Sequence, residues 1–440
     1  MRAMPLPLTT PAVVRMLGML LALLATLYGN ALAAPGRDSA TLFEASRPAL
    51  AGLRTLVRAT GKQFASGSAF LVDGQGRAVT NFHVVADALL DPQSFALEYR
   101  AMDGKTGKAR VLAIDAVSDL ALVLLESRSA AHLDLERWRP TQSLNKGDPL
   151  YSIGNPLDLG FTVTNGSYSG LVDGELIGRI HYSGVLNPGM SGGPALDGVG
   201  RLVGVNVSKT WEGEMVSFLV PIARARDLYR RALAGPPLAE GGARAEITRQ
   251  LFAHQQRIAD MAFAEDWKSV AYGPYHAPEF LAELSDCGST SNNNPISPPA
   301  ALSQSTTCTL RENASVQRGL LGGAVGYRNT YLESHILNSL LFSRHVDAEI
   351  RRDLRGRTSS LRGRVLCRDE FVALGPAGNL PARLVWCVQA IRGYPGLYDF
   401  DLSVATQDRS DRALVTHLSL NGFSWDNGQR FTWRLLENVR

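Results

Sequence analysis

In the first half of the chain, apolar residues come in short runs divided by Gly, Asn and Asp. Residues 66–72 alternate small and apolar positions, Asp73-Gly74-Gln75-Gly76 supplies a turn, and residues 77–82 return. That pattern predicts a β-hairpin. His83 follows directly, and residues 84–88 have the spacing of one helical turn. Further strands are predicted at 53–58, 95–99, 109–116, 120–125, 151–156, 202–207 and 215–220, with a short helix at 41–46. Residues 161–164 and 167–172 are expected to pair across Asn165-Gly166. Residues 221–233 read as a helix that Gly235-Pro236-Pro237 ends. Many short strands at regular spacing predict a mainly β fold, a barrel or a sandwich.

The second half has a different rhythm. Residues 235–242 form a Pro/Gly linker. Over 243–267, Ile247, Leu251, Ile258 and Met261 fall near helical spacing and predict an amphipathic helix. Residues 288–307 are rich in Ser, Asn and Pro and read as a loop. From residue 364 the pattern is β again, with strands expected at 364–367, 383–389, 398–405, 413–420 and 430–436. Asn421-Gly422 and Asn427-Gly428 read as turns. Trp386, Trp425 and Trp433 are expected to pack on a sheet face, with a ligand platform as the alternative. This half is expected to be an α+β domain over 243–440.

Composition narrows the class. A chain of 440 residues can hold two domains, each with its own core. The net charge of +4 is spread out, and no Lys/Arg block forms a nucleic-acid arm. Residues 16–28 are apolar, with Arg2 and Arg15 before them and Ala31-Leu32-Ala33 after. That is the pattern of a cleaved signal peptide over 1–33, which implies export to the periplasm or the medium and no stable membrane span after cleavage. The four cysteines, Cys287, Cys308, Cys367 and Cys387, all lie in the second half. An oxidising compartment favours two disulfides, and of three connectivities the pairing of sequence neighbours is expected. With no C-x-x-C and no H-E-x-x-H, neither a metal site nor a cofactor is expected.

The candidate chemistry centres on Asn187-Pro188-Gly189-Met190-Ser191-Gly192-Gly193-Pro194. A serine between glycines on a tight turn frees its hydroxyl, and the backbone amides of Gly189 and Ser191 can face a developing oxyanion. A base and an orienting acid are then required from elsewhere in the chain. His83, between a strand and a helical turn, is the candidate base. Asp119, which precedes the apolar run 120–125, is the candidate acid, and Asp115 is read as an exposed turn residue. The stretch also satisfies the G-x-S-x-G pattern of α/β-hydrolases, but that elbow needs a long helix after the serine and a histidine later in the chain. Here Pro194 leads towards another strand, and His83 comes first.

Thr80-Asn81-Phe82-His83-Val84-Val85, the segment from Asp115 through Asp119-Leu120-Ala121-Leu122-Val123, and the serine loop together resemble the three catalytic motifs of trypsin-like serine proteases of the HtrA/Deg type. The resemblance runs from about residue 66 to 233. It implies a chymotrypsin-like double β-barrel over 39–234, with the site in the cleft between barrels and His83, Asp119 and Ser191 as a triad. It also implies a substrate pocket at Val185, Gly204 and Asn206, with a small or apolar residue before the scissile bond. Such a protein would be an exported serine endopeptidase acting on protein or peptide substrates in envelope quality control or regulated proteolysis. The alternative is a protease-fold scaffold that binds partners through its C-terminal domain. That family usually carries a PDZ domain next, and none is found. The glycine-rich stretch 318–323 is read as a flexible turn.

Overall fold

A computed structural model describes residues 38–126, 129–207, 216–312, 314–317, 319–351, 360–375 and 378–440. The expected signal peptide lies outside these residues. Helix α1 (Ser39–Ser46) starts at Asp38, whose carboxylate accepts from the Thr41 N–H. Strands β1 (Leu50–Val57), β2 (Gln63–Leu71), β3 (Arg77–Thr80), β4 (Phe95–Ala101), β5 (Thr106–Asp115) and β6 (Leu120–Leu125) close into one barrel in the order β1-β2-β3-β6-β5-β4. Helix α2 (Phe82–Leu90) follows β3. Strands β7 (Pro149–Gly154), β8 (Thr162–Leu171), β9 (Ile180–Tyr182), β10 (Pro194–Asp197), β11 (Leu202–Val207) and β12 (Ser217–Pro221) close a second barrel. Helix α3 (Ile222–Ala234) completes this half.

The expected hairpin at 161–172 is instead the single strand β8. Leu150 lies opposite Gly166 and Tyr151 opposite Asn165. A Cβ at Gly166 would sit 2.3 Å from the Gly184 nitrogen. The glycine therefore serves a close backbone approach and not a turn.

Helix α4 (Ala243–Phe263) joins the halves. Ile247, Leu251 and Ile258 are fully buried on it, whereas Met261 is exposed. Ile247 and Leu251 share one apolar core with Val84 and Val85 of α2 and with Val316 and Leu320. The seam also carries backbone bonds. Gln250 accepts from Ala116 N at 2.7 Å and donates to Ile114 O at 2.8 Å. Within the linker, Leu238 N donates to Leu112 O at 2.8 Å. The two halves are thus packed together, not tethered.

Beyond α4 come the hairpin β13 (Lys268–Tyr272) and β14 (Tyr275–Glu279), then β15 (Ser285–Ser291), β16 (Leu302–Leu310), the pair β17 (Ala314–Gln317) and β18 (Leu320–Gly322), and β19 (Ala324–Glu333). Helix α5 (Ser339–Arg351) precedes β20 (Arg362–Leu374), β21 (Leu380–Ile391), β22 (Leu397–Thr406), β23 (Arg412–Ser424) and α6 (Trp425–Asn438). Seven strands form an open antiparallel sheet in the order β15-β16-β19-β23-β22-β21-β20. Disulfides Cys287–Cys308 and Cys367–Cys387 join sequence neighbours, as expected.

Three readings of this half are corrected. Half of 288–307 is strand, because β15 and β16 pair in register, and only the ten-residue connection 292–301 between them is loop. Residues 430–436 belong to a helix, and Asn427-Gly428 is its first turn. The Ser424 hydroxyl caps that helix by accepting from Asn427 N, while Phe431 and Leu435, four apart, bury against the sheet. The glycines at 322–323 are not a free turn, since a Cβ at Gly322 would meet the Leu251 side chain at 2.4 Å.

Candidate active site

Asp119 organises the first barrel's contribution. It lies in the β5–β6 turn with φ of +55°, a left-handed conformation that aspartate tolerates better than most residues. Asp115 builds this turn by accepting from Ser118 N at 2.9 Å, and it pairs with Arg231 at 3.4 Å. Asp115 is therefore a turn residue as read, but its side chain is largely buried.

From the turn, Asp119 grips the N-terminus of α2 at several points. Its carbonyl accepts from Phe82 N at 3.1 Å and Asn81 Nδ2 at 2.8 Å. Its Oδ1 accepts from His83 N at 2.9 Å, and its Oδ2 lies 2.7 Å from His83 Nδ1. The helix start has free N–H groups and positive dipole character, and both favour a carboxylate there. An ionised carboxylate only accepts, so in this pair Nδ1 is the donor, and the neutral ring that this favours has its lone pair on Nε2.

The serine loop runs between β9 and β10. Met190 N donates to Asn187 O at 3.0 Å and Gly193 N to Met190 O at 3.1 Å, which fixes two consecutive turns. Gly189 and Gly192 have φ of +96° and +87°. A Cβ on Gly189 would lie 2.4 Å from Asn155 O, and one on Gly192 2.2 Å from Ser68 O. Glycine is required at both positions.

Ser68 on β2 ties this loop to the first barrel. Its N–H donates to Ser191 O at 2.7 Å, and its hydroxyl donates to Gly189 O at 2.8 Å while accepting from Asn155 N at 2.9 Å. Leu157 N donates to Pro188 O at 2.8 Å. In a trans peptide the C=O and N–H point apart, so the Gly189 N–H faces away from Leu157. Asn206 holds the loop's other side, donating to Met190 O at 3.2 Å and to Ile153 O at 2.9 Å.

The loop and the histidine turn meet at the barrel seam. A Cβ at Gly67 would touch both the Val84 side chain and Ser191 O, and one at Gly192 would lie 3.0 Å from Asn81 N. Ser191 is buried, while the His83 side chain is 37% exposed. The site therefore has a closed floor and opens on the histidine side.

Among the pocket candidates, Val185 is exposed. Gly204 lies buried on β11 against Leu219 and Val220, and Asn206 is buried with its side chain committed to hydrogen bonds. The sequence reading missed Ser68 and Asn155 as positioning groups. The small-residue run Ser66-Gly67-Ser68 was a usable signal, because bulky side chains there would block the loop. Among the described residues, no group of three or more His, Cys, Asp or Glu is arranged to hold a metal ion.

Residues 67–205 match the trypsin-like peptidase domain family. The chain is 32% identical over 177 residues to a Synechocystis protein whose name describes it as the serine protease HhoA, covering 38% of this chain and 43% of that one. It is 32% identical over 173 residues to the chloroplast Protease Do-like 1 of Arabidopsis thaliana, 36% of this chain and 37% of that one. It is 30% identical over 171 residues to Serine protease HTRA1 of Xenopus laevis, 37% and 35% respectively. The chain thus spans less than half the length of these relatives. Similar solved structures include a serine endoprotease from Yersinia pestis, with a TM-score of 0.39 at 22% identity over 46% of this chain and 68% of that one. Another is the HtrA-type protease AlgW with a decapeptide, with a TM-score of 0.37 at 22% identity over 45% and 68%. Residues 67–205, with a histidine turn and a glycine-rich serine loop meeting between two closed barrels, match the trypsin-like peptidase domain family and are similar in sequence to HTRA-named serine proteases.

Proposed function

We propose that this chain is a serine endopeptidase that hydrolyses peptide bonds of protein or peptide substrates. Ser191 is the nucleophile, His83 the general base and then acid, and Asp119 the group that orients His83. The observation that carries this reading is the grip of Asp119 on both the backbone N–H and the ring of His83, at 2.9 and 2.7 Å. A carboxylate held at two points fixes the ring's tautomer and direction and stabilises the imidazolium that forms.

The reaction follows from those roles. His83 Nε2 takes the Ser191 hydroxyl proton as Oγ bonds to the substrate carbonyl carbon. The carbonyl oxygen becomes an oxyanion, held by the Gly189 and Ser191 amides. The leaving amine takes the proton from His83, and the acyl-enzyme remains. Water then repeats the sequence and releases the acid, restoring the Ser191 hydroxyl. Exposed Val185, with no acidic group at that position, favours a small or apolar residue before the scissile bond. Two formed disulfides suit an oxidising compartment and support export to the periplasm or beyond, where such an enzyme would serve protein quality control or regulated proteolysis.

Labelling with a fluorescent fluorophosphonate, read by intact mass, tests the reading. Wild type should take one adduct and Ser191→Ala none, with turnover falling by about six orders of magnitude in the variant. An adduct or peptidase activity that survives in Ser191→Ala would sink the assignment.

A further inference from the structure

Away from the cleft, the open sheet ends in β20, which pairs only with β21 among the described residues. Its other backbone edge, over residues 365–374, offers a row of ladder groups to a further strand. Beside that edge lies a groove of about 540 Å³ between the sheet and α6. Its walls are Leu366, Leu384, Trp386, Val388, Trp425 and Trp433. Leu366 and Trp433 are 59% and 63% exposed, unusual for such apolar groups on a folded surface. Trp425, Gln429, Thr432, Trp433 and Leu436 fall on one face of α6 by helical spacing, so the helix presents a continuous wall.

The edge is fixed in place. Cys367 is joined to Cys387 directly opposite it, which locks the register of β20 on β21. Leu366, Arg368 and Glu370 alternate along β20 and line the groove together. Cys367 lies between them in sequence and points to the opposite sheet face, where Cys387 and Val385 pack with Phe342 and Val346 of α5. A preorganised edge with an aromatic-walled groove on one face suits an extended chain. A helix or a lipid tail could fill the groove but would leave the row of backbone groups unused.

We propose that the β20 edge and its tryptophan groove form a binding site for an extended peptide, added to the sheet as an eighth strand. Alternate side chains of that peptide, about 4.8 Å beyond β20, lie on the groove side of the sheet, and the one beside Leu366 is apolar. Arg368 and Glu370 set its charge pattern, because like charges directly across a strand pair are unfavourable. The peptide therefore carries an acidic residue facing Arg368 and a basic one facing Glu370. The same charges also keep the edge from pairing indiscriminately. This site stands apart from the peptidase reading.

The test uses the full chain carrying Ser191→Ala, so that no probe is cleaved. The probe is a fluorescein-labelled ten-residue peptide of alternating Val and Thr with one Glu and one Lys, followed by anisotropy and by indole emission. Two further peptides carry N-methyl groups on the even or on the odd residues. Binding should survive one methylated set and vanish with the other, since only one edge of the peptide meets β20. Trp433→Ala should raise Kd about tenfold or more with the melting temperature unchanged. Arg368→Glu, a change on an exposed side chain, should reverse the preference between peptides with Glu and Lys exchanged. Equal binding of both methylated sets overturns the proposal, as does unaltered affinity in Trp433→Ala together with unaltered charge preference in Arg368→Glu. Capture of laurate with exclusion of every peptide overturns it too.

Discussion

The two halves of the molecule solve the problem of sheet edges in opposite ways. In the N-terminal half each six-stranded sheet closes on itself, so every strand has a partner on both sides. In the C-terminal half the seven-stranded sheet stays open, and its outer strands are β15 and β20. Each disulfide sits at one of these edges, Cys287–Cys308 between β15 and β16 and Cys367–Cys387 between β20 and β21. Where closure holds the strands, polar side chains such as Ser68 and Asn206 are available to position loops. Where the sheet is open, covalent links hold its margins. The closed half fixes its loops by contacts between barrels, and the open half leaves strand edges at its margins.

The sharpest way to break this contrast is at the histidine grip. Asp119→Asn keeps the shape but can donate to the ring, so it favours the wrong imidazole tautomer. Turnover should fall by about 10⁴ with little change in fold. Steady-state kinetics on a peptide substrate measure this, and a loss of only a few-fold would mean that the carboxylate does not orient the base.

A smaller effect is expected from Ser68→Ala, which removes the hydroxyl bridging Gly189 O and Asn155 N. The serine loop keeps the Ser68 backbone bond to Ser191 O but loses its grip near the oxyanion donors. The turnover number should drop about 10²-fold, with KM little altered, because misplacement of donors acts on the transition state. A rise in KM alone would assign Ser68 to substrate binding instead.

The smallest effect lies at the seam between the halves. His254 on α4 is buried, and burial, reinforced by the Arg257 charge and opposed by Asp115, pushes its imidazole down to about 4. Its Nδ1 lies 3.9 Å from Glu312 Oε1, and Glu312 Oε2 accepts from Ile177 N of the second barrel at 2.7 Å. Burial raises the Glu312 carboxyl, against the Ile177 N–H. Both groups are thus driven towards their neutral forms, and they do not make an ion pair. As pH falls below about 6.5 the unfolded His254 takes a proton that the folded one refuses until about 4. Stability from this group is therefore present near neutrality and lost across that window, roughly 3 kcal/mol in full. Glu312 acts in the opposite sense, costing stability as pH rises above the ordinary carboxylate range. Denaturant melts at pH 7 and pH 5 should show a smaller acid loss in His254→Gln than in wild type. Parallel losses would remove His254 from the account.

Much of this was legible in the sequence, and the exceptions share a cause. Most strand and helix patterns of the first half located their elements, because those segments carry their own turn chemistry, whereas the short strands β9 and β10 were not read. The nearest-neighbour disulfides were the expected choice among three connectivities, and the structure has that pairing. The errors came where a local signal had two meanings. Asn165-Gly166 looks like a hairpin turn, yet glycine serves there to let two backbones approach. Asn427-Gly428 looks like another, yet the Ser424 cap and the buried pair Phe431 and Leu435 make it the start of a helix. The cap was present in the sequence, but a run with Trp433 and Leu435 at alternate positions reads equally as strand until a sheet is there to receive Phe431.

By itself the sequence determined which residues could take part in the chemistry. It set a serine among glycines, a histidine after a strand and an aspartate before an apolar run, since these depend on residue types and local backbone demands. Only the tertiary structure decided that Asp119 meets both the backbone and the ring of His83. It alone placed Ser68 across the seam onto the serine loop, and it brought α4 to bury His254 beside Glu312. Those contacts join residues far apart in the chain, and their geometry depends on how barrels close and sheets pack. No local pattern encodes that distance.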